Sequence, residues 1–184
     1  MQVQELRIPE VKLLTPERLG DARGFFSEVY NRQRFAAAGI ALDFVQDNHS
    51  FSRSRGTVRG LHFQSPPFAQ AKLVRVVRGA IFDIAVDLRR GSPSYGRHVT
   101  AVLSAEAWNQ LLIPAGFAHG LMTLEPMTEV LYKVDRPYSA AHDQGLLWND
   151  PELGIAWPLP AAEAVLSEKD RAHPRFAGFV SPFA

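Results

Sequence analysis

The residues able to do chemistry gather in two stretches of the chain. Arg59-Gly60-Leu61-His62-Phe63-Gln64 leads toward a β-branched run, Lys72-Leu73-Val74-Arg75-Val76-Val77-Arg78, which stops at Gly79. Such a run bounded by glycine has the pattern of a buried strand. An imidazole and, ten residues later, an ammonium therefore enter one small sheet. The first titrates near neutrality, and the second carries three hydrogen-bond donors and no lone pair. Farther on, Pro114-Ala115-Gly116-Phe117-Ala118-His119-Gly120 again feeds a histidine from a turn into a strand. The chain has no cysteine, which removes thiol nucleophiles, thiolate metal sites and disulfides.

The elements that must position these groups are short strands. Arg59 and His62 are an odd number of residues apart, so a regular strand would point them to opposite faces. Both reach one cavity only if the strand is bulged, and Gly60 is where a bulge fits. Ile81–Leu88 alternates, with Phe82, Ile84, Val86 and Leu88 on one face and Ile81, Asp83, Ala85 and Asp87 on the other. If Lys72, Val74 and Val76 line a barrel interior, Asp83 enters the same space and balances the ammonium; the alternative is a surface carboxylate. Phe44–Phe51 is a strand rich in amides, holding Gln46 and Asn48, and reads equally as a solvent-facing edge. Thr128–Val134 places Tyr132 on the face of Val130 and Val134, where a core tyrosine with a satisfied hydroxyl is the plain alternative.

Further strands are expected over residues 1–14, with Pro9 demoting that run to an edge or bulged piece, and over Phe25–Tyr30, Val99–Leu103 and Gln110–Ile113. Asn31 is placed to cap a short helix through Ala38 that Gly39 ends, and a helical turn is expected near Ala161–Leu166. Short strands spaced by glycine and proline, with little helical periodicity, imply an all-β barrel or sandwich with short peripheral helices. At 184 residues and 46% hydrophobic content, residues 1–184 make one domain with room for a sizeable core. A formal net charge of +1 implies no polyanion field and no nucleic-acid partner. The N-terminus lacks the apolar stretch of a signal peptide, and no run is long enough to cross a bilayer, so a cytoplasmic protein with no membrane partner is expected.

The two histidine segments resemble the half-motifs of the cupin barrel, a jelly-roll fold. Metal-binding cupins carry a second histidine where this chain has Gln64 and a glutamate where it has Lys72. An ammonium repels a divalent ion, so the resemblance implies no metal and no cofactor. Over nearly the whole chain the sequence resembles the dTDP-4-dehydrorhamnose 3,5-epimerase family, the metal-free cupins of deoxysugar synthesis. The matching segments, in order, are Asp21–Glu28, Phe44–Asn48, Arg59–Gln64, Gln70–Val74, Pro114–Gly120, Tyr132–Val134, Trp148–Pro151 and Ser167–Asp170.

That resemblance implies a nucleotide-sugar substrate and epimerisation at carbons 3 and 5, beside the carbon-4 ketone; the alternatives are an epimerase of one carbon of a related nucleotide-activated 4-keto sugar and a non-catalytic sugar-binding cupin. His62 would be the base and Asp170 its hydrogen-bond partner. Lys72 would hold the enolate oxygen, and Tyr132 would be the acid on the opposite face. Arg23 and Arg59 would fork onto the diphosphate. Glu28, Gln46 and Asn48 would meet nucleotide or sugar hydroxyls, Phe25 or Phe26 and Tyr138 would stack on the base, and His119 would line the cavity. In the same family N-terminal strands join the partner's sheet, which implies a homodimer.

Overall fold

The computed structural model describes residues 1–184, and its architecture is built around central strands buried on both faces, Ala80–Asp87 and Phe117–Thr123 among them. In chain order the strands are β1 (Gln2–Glu5), β2 (Lys12–Thr15), β3 (Leu19–Asp21) and β4 (Gly24–Phe26), then helix α1 (Arg32–Ala37). There follow β5 (Gln46–Ser52), β6 (Val58–Gln64), β7 (Lys72–Arg78), β8 (Ala80–Asp87), β9 (His98–Ser104) and β10 (Gln110–Ile113). The last strands are β11 (Phe117–Thr123), β12 (Thr128–Val134) and β13 (Asp143–Gly145), before a 3-10 turn (Ala161–Glu163) and helix α2 (Glu168–Arg171).

Two antiparallel sheets face each other, a six-stranded one ordered β1-β2-β10-β7-β12-β5 and a five-stranded one ordered β13-β6-β11-β8-β9. This is the all-β jelly roll expected from the sequence. The period-2 alternation sorts residues into layers. Val74, Val76, Ile81, Ala85, Leu111, Leu121 and Val130 fill the space between the sheets. Leu73 and Leu112, on the outer face of the larger sheet, pack under α1 through Phe35. On the outer face of the smaller sheet Leu61, Ile84, Val86 and Leu88 are covered by the C-terminal tail through Leu153 and Phe183.

Asn31 caps α1, its side chain accepting hydrogen bonds from Gln33 N and Arg34 N, and Gly39 follows the helix with φ +79°. Two expected strands differ. The first fourteen residues form a hairpin, not one strand: β1 pairs with β2 of its own chain, which leaves β1 at the sheet edge. Of Phe25–Tyr30, only Phe25 and Phe26 lie in a strand. Side chains engage the remainder: Gln110 Nε2 donates to Val29 O at 2.9 Å, and Ser27 Oγ both donates to Glu17 O and accepts from Trp108 Nε1. No helix is long and apolar enough to cross a membrane.

Candidate active site

A cavity of about 480 Å³ opens between the sheets, and Arg59, His62, Lys72, His119, Tyr132 and Asp170 all line it. The bulge in β6 makes this possible. His62 pairs with His119 and Arg59 with Leu121, so Gly60 and Leu61 stand opposite the single residue Gly120. Gly60 has φ +136°, and a Cβ there would meet Gly120 Cα at 2.5 Å and His119 O at 2.8 Å. Only glycine lets the two strands approach this closely while Arg59 and His62 share a face.

His62 Nε2 lies 2.5 Å from Asp170 Oδ1. Asp170 is held in turn by Ser167, whose Oγ donates to Asp170 Oδ2 at 2.9 Å and accepts from Asp170 N at 3.1 Å, capping α2. Burial alone would raise the Asp170 carboxyl, but the hydrogen bonds from His62 and Ser167 outweigh it and hold the group below the usual carboxylate range. Asp170 is thus a carboxylate, His62 Nε2 carries the proton it accepts, and His62 Nδ1 is left with the free lone pair and no hydrogen-bond partner in the protein.

Across the cavity stand Lys72 of β7 and Tyr132 of β12, on the six-stranded sheet. Lys72 thus lies opposite His62 and not in one sheet with it, which the sequence suggested, because the connection over residues 65–71 crosses from one sheet to the other. The half-buried Lys72 ammonium makes no hydrogen bond or ion pair within the chain. Burial lowers its pKa to about 8, against the opposing pull of Asp143 and Asp83. Tyr132 is raised by burial, partly offset by Arg59, so it keeps its proton at neutral pH. Its hydroxyl has no protein partner, unlike that of a satisfied core tyrosine.

The remaining expected residues divide. Arg59 lines the cavity, steadied by hydrogen bonds to Phe51 O at 3.0 Å and Ser52 Oγ at 3.3 Å. His119 also lines it, its Nε2 2.5 Å from Asp83 Oδ1, and burial lowers its pKa despite that carboxylate. Asp83 is fully buried behind His119 and is not a surface carboxylate; it balances Lys72 through space but does not reach the cavity as a contact. Gln46 and Asn48 bond each other at 2.8 Å, and Gln46 Oε1 accepts from Tyr138 N at 3.0 Å. Exposed Tyr138 donates to Asp143 Oδ2 at 3.1 Å, and Lys169, which lines the cavity, reaches the same oxygen at 2.5 Å. Gln46, Asn48 and Tyr138 do not line the cavity, and Arg23, Phe26 and Glu28 are not brought to it. Arg23 lies on the exposed β3–β4 hairpin, its Nη2 2.6 Å from Asp21 Oδ2. Phe26 and Glu28 border a separate pocket of about 130 Å³, and Glu28 pairs with Arg34.

Gln64, at the position of a cupin metal histidine, points elsewhere. Its amide donates to Phe68 O and Pro137 O and accepts from Ser139 N, a structural clamp. With Lys72 at the glutamate position, the cupin donor set is replaced by groups that do not fit a metal ion. Sequence reasoning missed Asp143, Lys169, Ser167 and His173. Only Ser167 carried a local signal, a capping serine three residues before an acidic side chain at a helix start.

The chain compares closely with known proteins. The family model for dTDP-4-dehydrorhamnose 3,5-epimerase matches residues 5–178. A protein of that name from Sinorhizobium fredii is 56% identical over 174 residues, 95% of this chain and 89% of the relative. The crystal structure of the Bacillus anthracis enzyme of the same name, with TDP and pyrophosphate bound, superposes with a TM-score of 0.92 at 51% identity, covering 95% of this chain and 99% of that one. A Legionella pneumophila epimerase in complex with dTDP-4-keto-L-rhamnose superposes at 0.90 with 42% identity, covering 95% of this chain and 92% of that one.

Proposed function

The chain belongs to the dTDP-4-dehydrorhamnose 3,5-epimerase family, and from that membership and the cavity geometry we propose that it converts dTDP-4-keto-6-deoxy-D-glucose to dTDP-4-keto-L-rhamnose. The observation that carries this reading is the opposition of the two sheets. His62, with a lone pair at Nδ1, faces Lys72 and Tyr132, whose ammonium and hydroxyl have no partner in the protein.

The chemistry follows from that arrangement. The protons on carbons 3 and 5 are acidified by the carbon-4 ketone. His62 Nδ1 removes one of them, and the imidazolium is stabilised by Asp170, which also sets the tautomer. The electron pair moves onto the ketone oxygen, where the Lys72 ammonium holds the enolate; a preorganised donor of this kind contributes about 3–4 kcal/mol. Tyr132 then gives its proton to carbon from the opposite face and inverts the centre. Both carbons flank one ketone, so one base and one acid serve both after the ring shifts, once water in the cavity has taken the proton from the His62 imidazolium and returned one to the Tyr132 phenolate. Arg59 receives the diphosphate at the cavity mouth. No resident cofactor takes part.

The protein is read as a cytoplasmic homodimer. The outer edge of β1 is unpaired, and Leu19, Phe25 and Phe26 on the β3–β4 hairpin are exposed, an apolar group of the kind a second copy covers. Arg23, Phe26 and Glu28 contact the nucleotide only across such a dimer, from the partner's hairpin. Incubation with dTDP-4-keto-6-deoxyglucose in deuterated water tests the activity. Deuterium at carbons 3 and 5 of an L-configured product is expected. Label at one carbon would reassign the protein as a single-centre epimerase, and label at neither would leave a binding protein.

A further inference from the structure

Behind the base, on the side away from its free nitrogen, a second histidine converges on the same carboxylate. His173 Nε2 lies 3.6 Å from Asp170 Oδ1, the oxygen that His62 Nε2 approaches to 2.5 Å. Donor atoms of His62, Asp170 and His173 all fall within 4.8 Å of one another. The two imidazoles meet edge to face, with 5.5 Å between ring centroids. The His173 side chain is only 9% exposed, and its Nε2 is buried without a hydrogen-bond partner. The ring is also pressed against Gly145, where any Cβ would come within 2.4 Å of that nitrogen. Buried polar atoms are nearly always paired, so an orphaned imidazole nitrogen aimed at a carboxylate calls for a partner.

We propose that His62 Nε2, Asp170 Oδ1 and His173 Nε2 form an inhibitory site for a divalent transition ion of the zinc class. Two imidazoles and one carboxylate, with the cavity supplying water as the fourth ligand, are the donor set of a zinc site; magnesium and calcium require oxygen ligands. Zinc bonds of about 2.0–2.2 Å put tetrahedral donors roughly 3.2–3.6 Å apart. The Asp170–His173 spacing already meets this, and the His62–Asp170 contact must widen to admit the ion. This site lies to one side of the cupin metal position, which Lys72 and Gln64 have removed. The ammoniums of Lys72 and Lys169 near the cavity weaken binding, so the ion regulates and is not resident.

Inhibition follows from proton bookkeeping on one ring. As the ion takes Nε2, the proton held there moves to Nδ1 and His62 stays neutral. The nitrogen facing the substrate is then an N–H donor with no lone pair, and carbon deprotonation stops. This consequence rests on His62 being the base; the ion site itself does not.

Titration of the full chain with Zn2+ by calorimetry, and with Co2+ by visible spectroscopy, tests the site without any turnover. One ion per chain is expected, with the intense ligand-field bands of four-coordinate Co2+. Zn2+ should also inhibit epimerisation, and EDTA should reverse it. His173→Phe, which keeps the ring and removes the donor, should weaken Zn2+ by about tenfold or more; His173→Asn serves if the larger ring unfolds the tail. Equal Zn2+ affinity in wild type and the His173 variants, or no saturable Co2+ spectrum in wild type, would overturn the proposal. Absent turnover with an intact Co2+ site would instead count against the functional reading alone.

Discussion

Replacing Lys72 by glutamine puts the oxyanion role to the strictest test. The ammonium stands half-buried and free of hydrogen bonds to the protein, with its pKa lowered to about 8. The groups facing it are Asp143 of β13, Asp83 of β8 and His119 of β11. With a pKa of about 8, the lysine is roughly nine-tenths charged at pH 7 and one-tenth charged at pH 9. Tyr132 and Lys169 are both displaced upward from values near ten, so neither titrates in that window. Wild-type turnover should therefore fall on the alkaline side of about pH 8, approaching tenfold per unit. Lys72→Gln keeps a donor and the side-chain volume but deletes the charge. It should lower kcat by about 10²–10³, the effect of removing one oxyanion donor, with a smaller change in KM. The alkaline fall should vanish in the variant. The assay is proton NMR of product formation across the range spanning the lysine's pKa. An alkaline limb that persists near pH 8 in Lys72→Gln, or a variant as fast as wild type, would refute the reasoning.

Three further outcomes are expected. Tyr132→Phe should retain deuterium exchange into the sugar while inverted product falls steeply, whereas His62→Asn should lose both; equal loss of exchange and inversion in Tyr132→Phe would place the tyrosine in enolate formation. Gly60→Ala should cost about 3 kcal/mol or more in denaturant melts, and activity with it, because its Cβ would meet Gly120 Cα at 2.5 Å. Asp87 is raised by burial but held at about 2 by the stronger effect of hydrogen bonds from Arg89, Ser92 and Ser94. Its folded pKa lies below the unfolded value of about 3.9, so its contribution, roughly 2–3 kcal/mol, is complete at neutral pH and drains away as pH falls from about 4 toward 2. Asp87→Asn should remove that stability at neutral pH and flatten this part of the acid-unfolding curve, as read by circular dichroism.

Much of the architecture is local and was therefore legible in the residues. Alternation in Ile81–Leu88 and Thr128–Val134 states which side chains share a face, since successive strand residues point oppositely whatever the fold. Asn31 and Gly39 marked the ends of α1 because caps are satisfied within a few residues. The β6 bulge followed from Arg59 and His62 only once both were required to reach one cavity, since their spacing otherwise puts them on opposite faces of a regular strand. A face, however, is not a partner. His62 meets Asp170 across 108 residues, and His119 meets Asp83 across 36, through strand register and a tail folded over the smaller sheet. The same long-range packing decided that Asp83 lies behind His119, that Gln64 clamps a loop, and that the hairpin bearing Arg23 projects away from its own chain's cavity. It also seated His173 against Gly145 beside the base, a contact with no trace in local pattern. Local sterics and hydrogen bonding act over a few residues and can be read from sequence; a pocket forms where distant segments pack, and only the folded chain decides which side chains meet there.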